Sequence, residues 1–290
     1  MQYQNPILPG FHPDPSICRV GKDFYLVTSS FEYFPGLPVY HSRDLVHWEQ
    51  IGHCLTRNTQ VQLVTGAPNC LNIYAPTIRY HEGRFYVIVT CVNGDNHGNF
   101  IITAEDPAGE WSDPVELPFP GIDPSLFFDT DGKVYYTGTD GGVYLSQVDV
   151  TTGEAVGERH WLWQGTANNP EGPHLYKING MYYLLLAQGG TEMCHMAVMA
   201  RSASVLGPYE PCPHNPVLSN IGQCLPIKAA GHADLVEDAE GNWWAVCLAN
   251  RPLAYPFRHN LGRETMLVPV RWEDGWPFFG EDSAVLPQFT

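Results

Sequence analysis

Basic residues are scarce in this chain. Lys and Arg number 15 against 31 Asp and Glu in 290 residues, a formal net charge of −16. A surface of that sign repels phosphate backbones and anionic bilayers, so neither nucleic acid nor membrane is expected as a partner. A neutral substrate such as a sugar meets no such barrier. No stretch reaches transmembrane length, and the opening Met1-Gln2-Tyr3-Gln4-Asn5-Pro6 has neither the charged n-region nor the apolar h-region of a secretion signal. A cytoplasmic bacterial-type enzyme is the plain expectation, although a removed signal would leave the same trace. The eight cysteines (Cys18, Cys54, Cys70, Cys91, Cys194, Cys212, Cys224 and Cys247) contain no Cys-x-x-Cys pair, and reduced thiols are the default. There is no Asn-x-Ser/Thr sequon, no low-complexity tract and no His-x-x-x-His ligand spacing. Long amphipathic helical patterns are also missing, which leaves little room for a helical architecture.

What is present suits many short strands joined by tight turns. The chain holds 28 Gly and 25 Pro, with 8 Trp and 15 Tyr. Runs such as Phe24-Tyr25-Leu26-Val27-Thr28, Phe85-Tyr86-Val87-Ile88-Val89-Thr90 and Tyr182-Tyr183-Leu184-Leu185-Leu186 have the β-branched and aromatic character of buried strands.

These runs recur in register. Asp14-Pro15-Ser16-Ile17, Ala75-Pro76-Thr77-Ile78, Asp123-Pro124-Ser125-Leu126, Glu171-Gly172-Pro173-His174-Leu175 and Gly231-His232-Ala233-Asp234-Leu235 occupy one phase of an internal repeat. About a dozen residues after each comes a Gly and an aromatic pair: Phe24-Tyr25, Phe85-Tyr86, Tyr135-Tyr136, Tyr182-Tyr183 and Trp243-Trp244. A period of roughly 40–50 residues predicts a five-bladed β-propeller, all-β, running as one domain over 1–290 with no linker. Register is imperfect: the third unit carries two extra residues at Thr130-Asp131, and the fourth is offset by one at Glu171. Several units close on a turn and an aromatic, Trp48, Trp111 or Tyr209, read as packing at the blade's outer edge. The tail from Phe278 reads as either a closing strand or a frayed end.

A polar residue repeated at the start of each blade's first strand points at the propeller axis. Asp14, Asp123 and Glu171 are thereby brought together from distant parts of the chain. On local sequence Asp14, between Pro13 and Pro15, reads equally as a turn former. Three carboxylates at one channel end repel one another, so at least one has its pKa raised by like charge and burial. A carboxylic acid still protonated near neutral pH is a general acid, and an ionised neighbour can take a proton from water. Such a pair matches hydrolysis of a glycosidic bond, with the third acid tuning the donor.

Other residues keep two readings each. Arg263 either pairs with Asp14 or a sugar hydroxyl, or forms a surface salt bridge. Phe31 is an apolar floor under a sugar ring or a core side chain. The alternative for the acid cluster is metal binding, Ca²⁺ or a transition metal, which His232, in phase with the acids, could join; a structural ion or a water near His232 is the further option. No cofactor is required.

As an ordered set these segments closely resemble glycoside hydrolase family 43. The resemblance is carried by Asn5 to Ile17, Ser42-Arg43-Asp44-Leu45-Val46-His47-Trp48, Tyr74-Ala75-Pro76-Thr77-Ile78, Glu171 to Tyr176 and Gly231 to Leu235. It is greatest to the β-xylosidase and α-L-arabinofuranosidase branch. It implies an inverting exo-hydrolase that takes terminal xylose or arabinofuranose from plant-derived oligosaccharides. Asp14 would be general base, Glu171 general acid, and Asp123 the acid that orients Glu171 and raises its pKa. Arg263, Phe31, Tyr74 and His232 would line the substrate pocket, Tyr74 where the family often has Trp. Similar xylosidases usually add a C-terminal β-sandwich, which is not expected within 1–290. An arabinan-degrading member with an open cleft is the alternative enzyme. A non-catalytic sugar- or protein-binding propeller is the alternative of another class, and it would have no use for a general acid.

Overall fold

Gly- and Pro-bearing turns cut the chain into short strands, and the strands pair with their sequence neighbours. The computed structural model describes residues 2–64, 66, 71–93 and 96–289, and among these there is no helix. The described residues form five antiparallel sheets in succession, the predicted five blades. Blade 1 runs Ser16–Val20, Asp23–Val27, Gly36–Ser42 and Glu49–Leu55. Blade 2 runs Thr77–His81, Arg84–Asn93, Asn96–Ala104 and Val115–Leu117, with Asn72–Ile73 paired to the far half of its long second strand. Blade 3 contains Ile122–Phe128, Val134–Thr139, Val143–Val148 and Ala155–Trp161. Blade 4 contains Glu171–Ile178, Met181–Gln188, Met196–Ser202 and Glu210–Pro211. Blade 5 contains Lys228–Glu237, Trp243–Asn250, Glu264–Glu273 and Trp276–Phe279. Each repeated aromatic pair falls on a second strand.

The apolar core is divided into layers between blades, as stacked sheets require. Val27, Val39, Ile78 and Val87 belong to the layer between blades 1 and 2, and Ile88, Ile101, Leu126 and Tyr136 to that between 2 and 3. Leu145, Leu175, Leu184 and Val198 fill the gap between blades 3 and 4. The remaining layer joins blades 4, 5 and 1 through Leu185, Met199, Val246, Leu267, Ile17 and Leu26. Trp48, Trp111 and Tyr209 each bond back to a carbonyl of their own turn, those of Leu45, Pro107 and Val205, as their packing role predicts. The seven described cysteines are free thiols; Cys70 lies outside the described residues.

The two chain ends close the ring. Tyr3–Gln4 pairs with Gln288–Phe289, so the tail is a closing strand. Asn5 then caps the seam: its Nδ2 donates to the carbonyls of Leu267 and Leu286, and its Oδ1 accepts from the Leu267 N–H. The N-terminal strap continues along blade 5 through Ile7 and Leu8, which bond Thr265.

On the axis, polar side chains from every blade meet at a hub. Asp234 of blade 5 is fully buried and its Oδ2 accepts from Ser16 Oγ of blade 1 at 2.6 Å. Arg79 of blade 2 forks onto both its oxygens at 2.8 and 3.1 Å. Tyr176 of blade 4 donates to Oδ1 at 2.6 Å. His174 accepts from Arg79 at 3.0 Å and contacts Ser125 Oγ of blade 3 at 3.1 Å. Burial opposes the Asp234 charge, but Arg79, His174 and these hydrogen bonds outweigh it and hold the carboxyl well below its ordinary range. Breaking one side of such a pair strands the other charge in the interior. Asp234→Asn is therefore expected to destabilise the fold by about 3–5 kcal/mol, measured by urea unfolding. A variant with an unchanged midpoint would show that the hub does not hold the blades.

Candidate active site

A left-handed residue sits at the same place, at or near the start of four first strands. Asp14 has φ 52°, Asp123 53°, Gly172 54° and His232 48°. In L-residues this conformation is strained and persists only where surrounding contacts impose it. It turns the backbone where regular pairing begins, and the register slips there in blades 3, 4 and 5. In blade 4 glycine takes the left-handed position, and the acid stands one residue earlier, at Glu171. The one-residue offset read in the sequence is thus a change in which residue carries the acid, on a backbone that keeps the phase of the other blades. A side chain at 172 could not be accommodated, since a Cβ there would lie 2.6 Å from His232 Nε2.

All three acids lie at the starts of their first strands, hence at one end of the channel. The far ends of the same strands, including Arg19, His81, Phe128, Lys177 and Glu237, line a separate cavity of about 380 Å³. Asp14 is buried and held on three sides. Arg263 Nη1 donates to its Oδ1 at 2.9 Å, Ser29 Oγ donates to its Oδ2, and His232 Nδ1 stands 3.5 Å from Oδ1. The Arg263 pairing expected from sequence is therefore present. It follows from the strap: His12 N–H bonds the Arg263 carbonyl, Thr265 Oγ1 bonds the His12 carbonyl, and buried Glu264 accepts from Gly10 N–H and from Arg251. Gly262 leaves room for Phe11, whose Cδ2 would be 2.7 Å from a Cβ there.

The carboxyls are pushed in opposite directions. At Asp14 burial favours the neutral acid, but Arg263, His232 and the Ser29 hydrogen bond prevail and hold it below its ordinary value. Glu171, whose side chain is 22% exposed, is raised to about 7 by burial and then by the charge of Asp123. Burial also raises Asp123 to about 6, opposed by His232 and by a hydrogen bond from the Gly172 N–H. The charge of an ionised Asp123 favours the protonated form of Glu171. One site thus holds an ionised carboxylate and a protonated carboxylic acid near neutrality.

An aromatic wall stands beside them. Phe31 is pinned by a two-way backbone bridge to Ile73 and its ring meets Tyr74 at 5.5 Å between centroids. Arg263 lies 5.3 Å over the Phe31 ring, so the pocket residues named from sequence converge. Phe11 and Tyr33 extend the wall. Sequence reading missed Ser29, Thr191 (whose Oγ1 accepts from Arg263 at 3.2 Å) and His195, which faces Glu171 at 3.9 Å. None lies in the repeat's phase. The Gly189-Gly190 pair before Thr191 was the only local signal. Among the described residues no set of three or more His, Cys, Asp and Glu is placed to hold a metal.

Comparison with known proteins agrees with this geometry. The family model for Glycosyl hydrolases family 43 matches residues 3–277. A non-reducing end alpha-L-arabinofuranosidase of Bacteroides ovatus is 52% identical over 98% of this chain and 54% of its own length. A xylosidase/arabinosidase of Butyrivibrio fibrisolvens is 49% identical over 94% of this chain and 55% of its own. The chain therefore spans about half the length of these curated relatives. Among solved structures, Bacteroides ovatus Xyloglucan PUL GH43B superposes with a TM-score of 0.95 at 50% identity, over 100% of this chain and 58% of that one. With the family model matched over residues 3–277, this chain belongs to glycosyl hydrolase family 43.

Proposed function

We propose that the chain is the catalytic propeller of an inverting exo-glycoside hydrolase releasing terminal xylose, arabinofuranose or both from plant-derived oligosaccharides. The observation that carries this reading is the unlike setting of two carboxyls at one channel end: Asp14 bonded by Arg263 and Ser29, and Glu171 largely buried without such a partner among the described hydrogen bonds. Asp14 takes a proton from water as the water oxygen attacks the anomeric carbon. Glu171 gives its proton to the glycosidic oxygen as the carbon–oxygen bond breaks, so charge and protons balance. Solvent then returns both carboxyls to their starting states. Asp123 keeps Glu171 protonated through its charge. These groups supply both proton donor and acceptor, so the reaction asks for no cofactor, and a water is the simpler occupant beside His232.

Binding follows from the wall. Arg263 is shared between Asp14 and Thr191 and lies over Phe31, placing a cation and an aromatic face where a single sugar ring would dock. Release of single pentoses from chain ends fits that arrangement. The names of the two relatives, one of them specifying the non-reducing end, support the same substrate class.

Role assignment is tested by leaving-group dependence. Glu171→Ala is expected to lower kcat/KM on xylo- or arabino-oligosaccharides by roughly 10²–10⁴-fold while largely sparing activated aryl glycosides, which need little protonation. Asp14→Ala should depress both classes alike, because both need water attack. Equal losses for the two classes in the Glu171 variant would reverse the assignment.

The pH profile tests the tuning. Activity requires Glu171 protonated, so kcat/KM on oligosaccharides should fall as pH rises through about 7. Removing the neighbouring negative charge makes ionisation of Glu171 easier. Asp123→Asn should thus move this basic limb to lower pH, and a limb that stays put would deny Asp123 its tuning role.

A further inference from the structure

His195 is the buried polar side chain that the reaction as described leaves unused. It precedes the third strand of blade 4, with its backbone N–H on the Glu192 carbonyl at 3.0 Å. The side chain is 1% exposed, and neither ring nitrogen has a hydrogen-bond partner. Buried donors left unpaired are costly and uncommon. The ring is nonetheless given a fitted berth. It lies flat on Gly231, where a Cβ would come within 2.5 Å of Cδ2 and 2.7 Å of Nε2. From that berth Nε2 faces Glu171 Oε1 at 3.9 Å, too far for a hydrogen bond and close enough to make one after a small rotation of the carboxyl.

The charged and titratable groups around it come from four elements. Glu171 faces it from the first strand of blade 4 and His232 from the first strand of blade 5. Asp14 acts on it from the N-terminal strap, and Arg263 from the segment leading into Glu264–Glu273. Burial, His232 and Arg263 disfavour a second proton on the ring, which is pushed down to about 3, so His195 is neutral throughout the working range.

We propose that His195 is a positioning residue for the general acid, its Nε2–H receiving Glu171 Oε1 as the carboxyl gives up its proton. The proposal rests on the reading of Glu171 as proton donor. Neutrality matters here. A cation beside Glu171 would strip its proton before the substrate arrived, whereas a neutral N–H leaves the acid intact and offers its bond to the carboxylate that forms. The same contact holds the remaining oxygen toward the glycosidic bond. An orphan donor in the resting state becomes a satisfied one after proton transfer.

Three variants test this. His195→Phe keeps volume and removes the donor. His195→Gln returns an amide N–H near Nε2. Gly231→Ala keeps the imidazole and displaces it. His195→Phe should lower kcat on oligosaccharides roughly tenfold, with little change for activated aryl glycosides. Its basic limb should move to higher pH, because the ionised form of Glu171 has lost a hydrogen bond. His195→Gln should restore both, and Gly231→Ala should resemble His195→Phe, which keeps the test alive if the Phe variant fails to fold. A uniform loss on both substrate classes with an unmoved limb would show a packing role only and overturn the proposal. Glu171→Ala run alongside separates the two levels. If that variant shows no leaving-group dependence, the donor reading fails and the positioning role falls with it.

Discussion

The ion pair between Asp234 and Arg79 ties the propeller together where its blades would otherwise only abut. Apolar layers between sheets resist separation but allow sliding, because dispersion has little direction. The hub supplies direction. Asp234 accepts from blades 1, 2 and 4, and His174 brings in blade 3. Four of the hub residues lie two or three positions beyond the in-phase residue of their own blade, so locking the hub constrains where the acids stand. Asp14 is followed by Ser16, Asp123 by Ser125, Glu171 by His174 and His232 by Asp234.

Above the hub, chemistry depends on keeping neighbouring carboxyls unlike one another. Asp14 is given Arg263, His232 and Ser29. Glu171 is given burial and the Asp123 charge. Gly172 serves both ends of this division. It takes up the left-handed conformation so that Glu171 stands apart from the phase of the other acids, and its N–H steadies Asp123. The N-terminal strap is equally functional, since it closes the ring and lays Asp14 beside Arg263.

Much of this was legible from repetition. One phase, read five times, predicted the blades and joined Asp14, Asp123 and Glu171, and even the slip at Glu171 was visible before its cause, the glycine that takes the left-handed position. Of the two readings of Arg263, the pairing with Asp14 is the one present, and Phe31 lies beneath its guanidinium. Ser16, Ser125, His174 and Asp234 were inside the quoted motifs, but their shared role was not apparent, because alternation sends them to a contact that exists only when the ring closes. Ser29, Thr191 and His195 lie in loops outside the phase. Their approach to the acids is set by tertiary packing, which no local pattern encodes.

The central claim is that one carboxylate activates water while another protonates the departing oxygen, in a single displacement. Proton NMR of the first minutes of hydrolysis of an aryl β-xyloside or aryl α-arabinofuranoside reads this directly, before mutarotation mixes the anomers. The account predicts that the sugar appears first with its anomeric configuration inverted, α-xylose or β-arabinofuranose. First appearance of the retained anomer would require a covalent intermediate on one of the carboxyls and would contradict it.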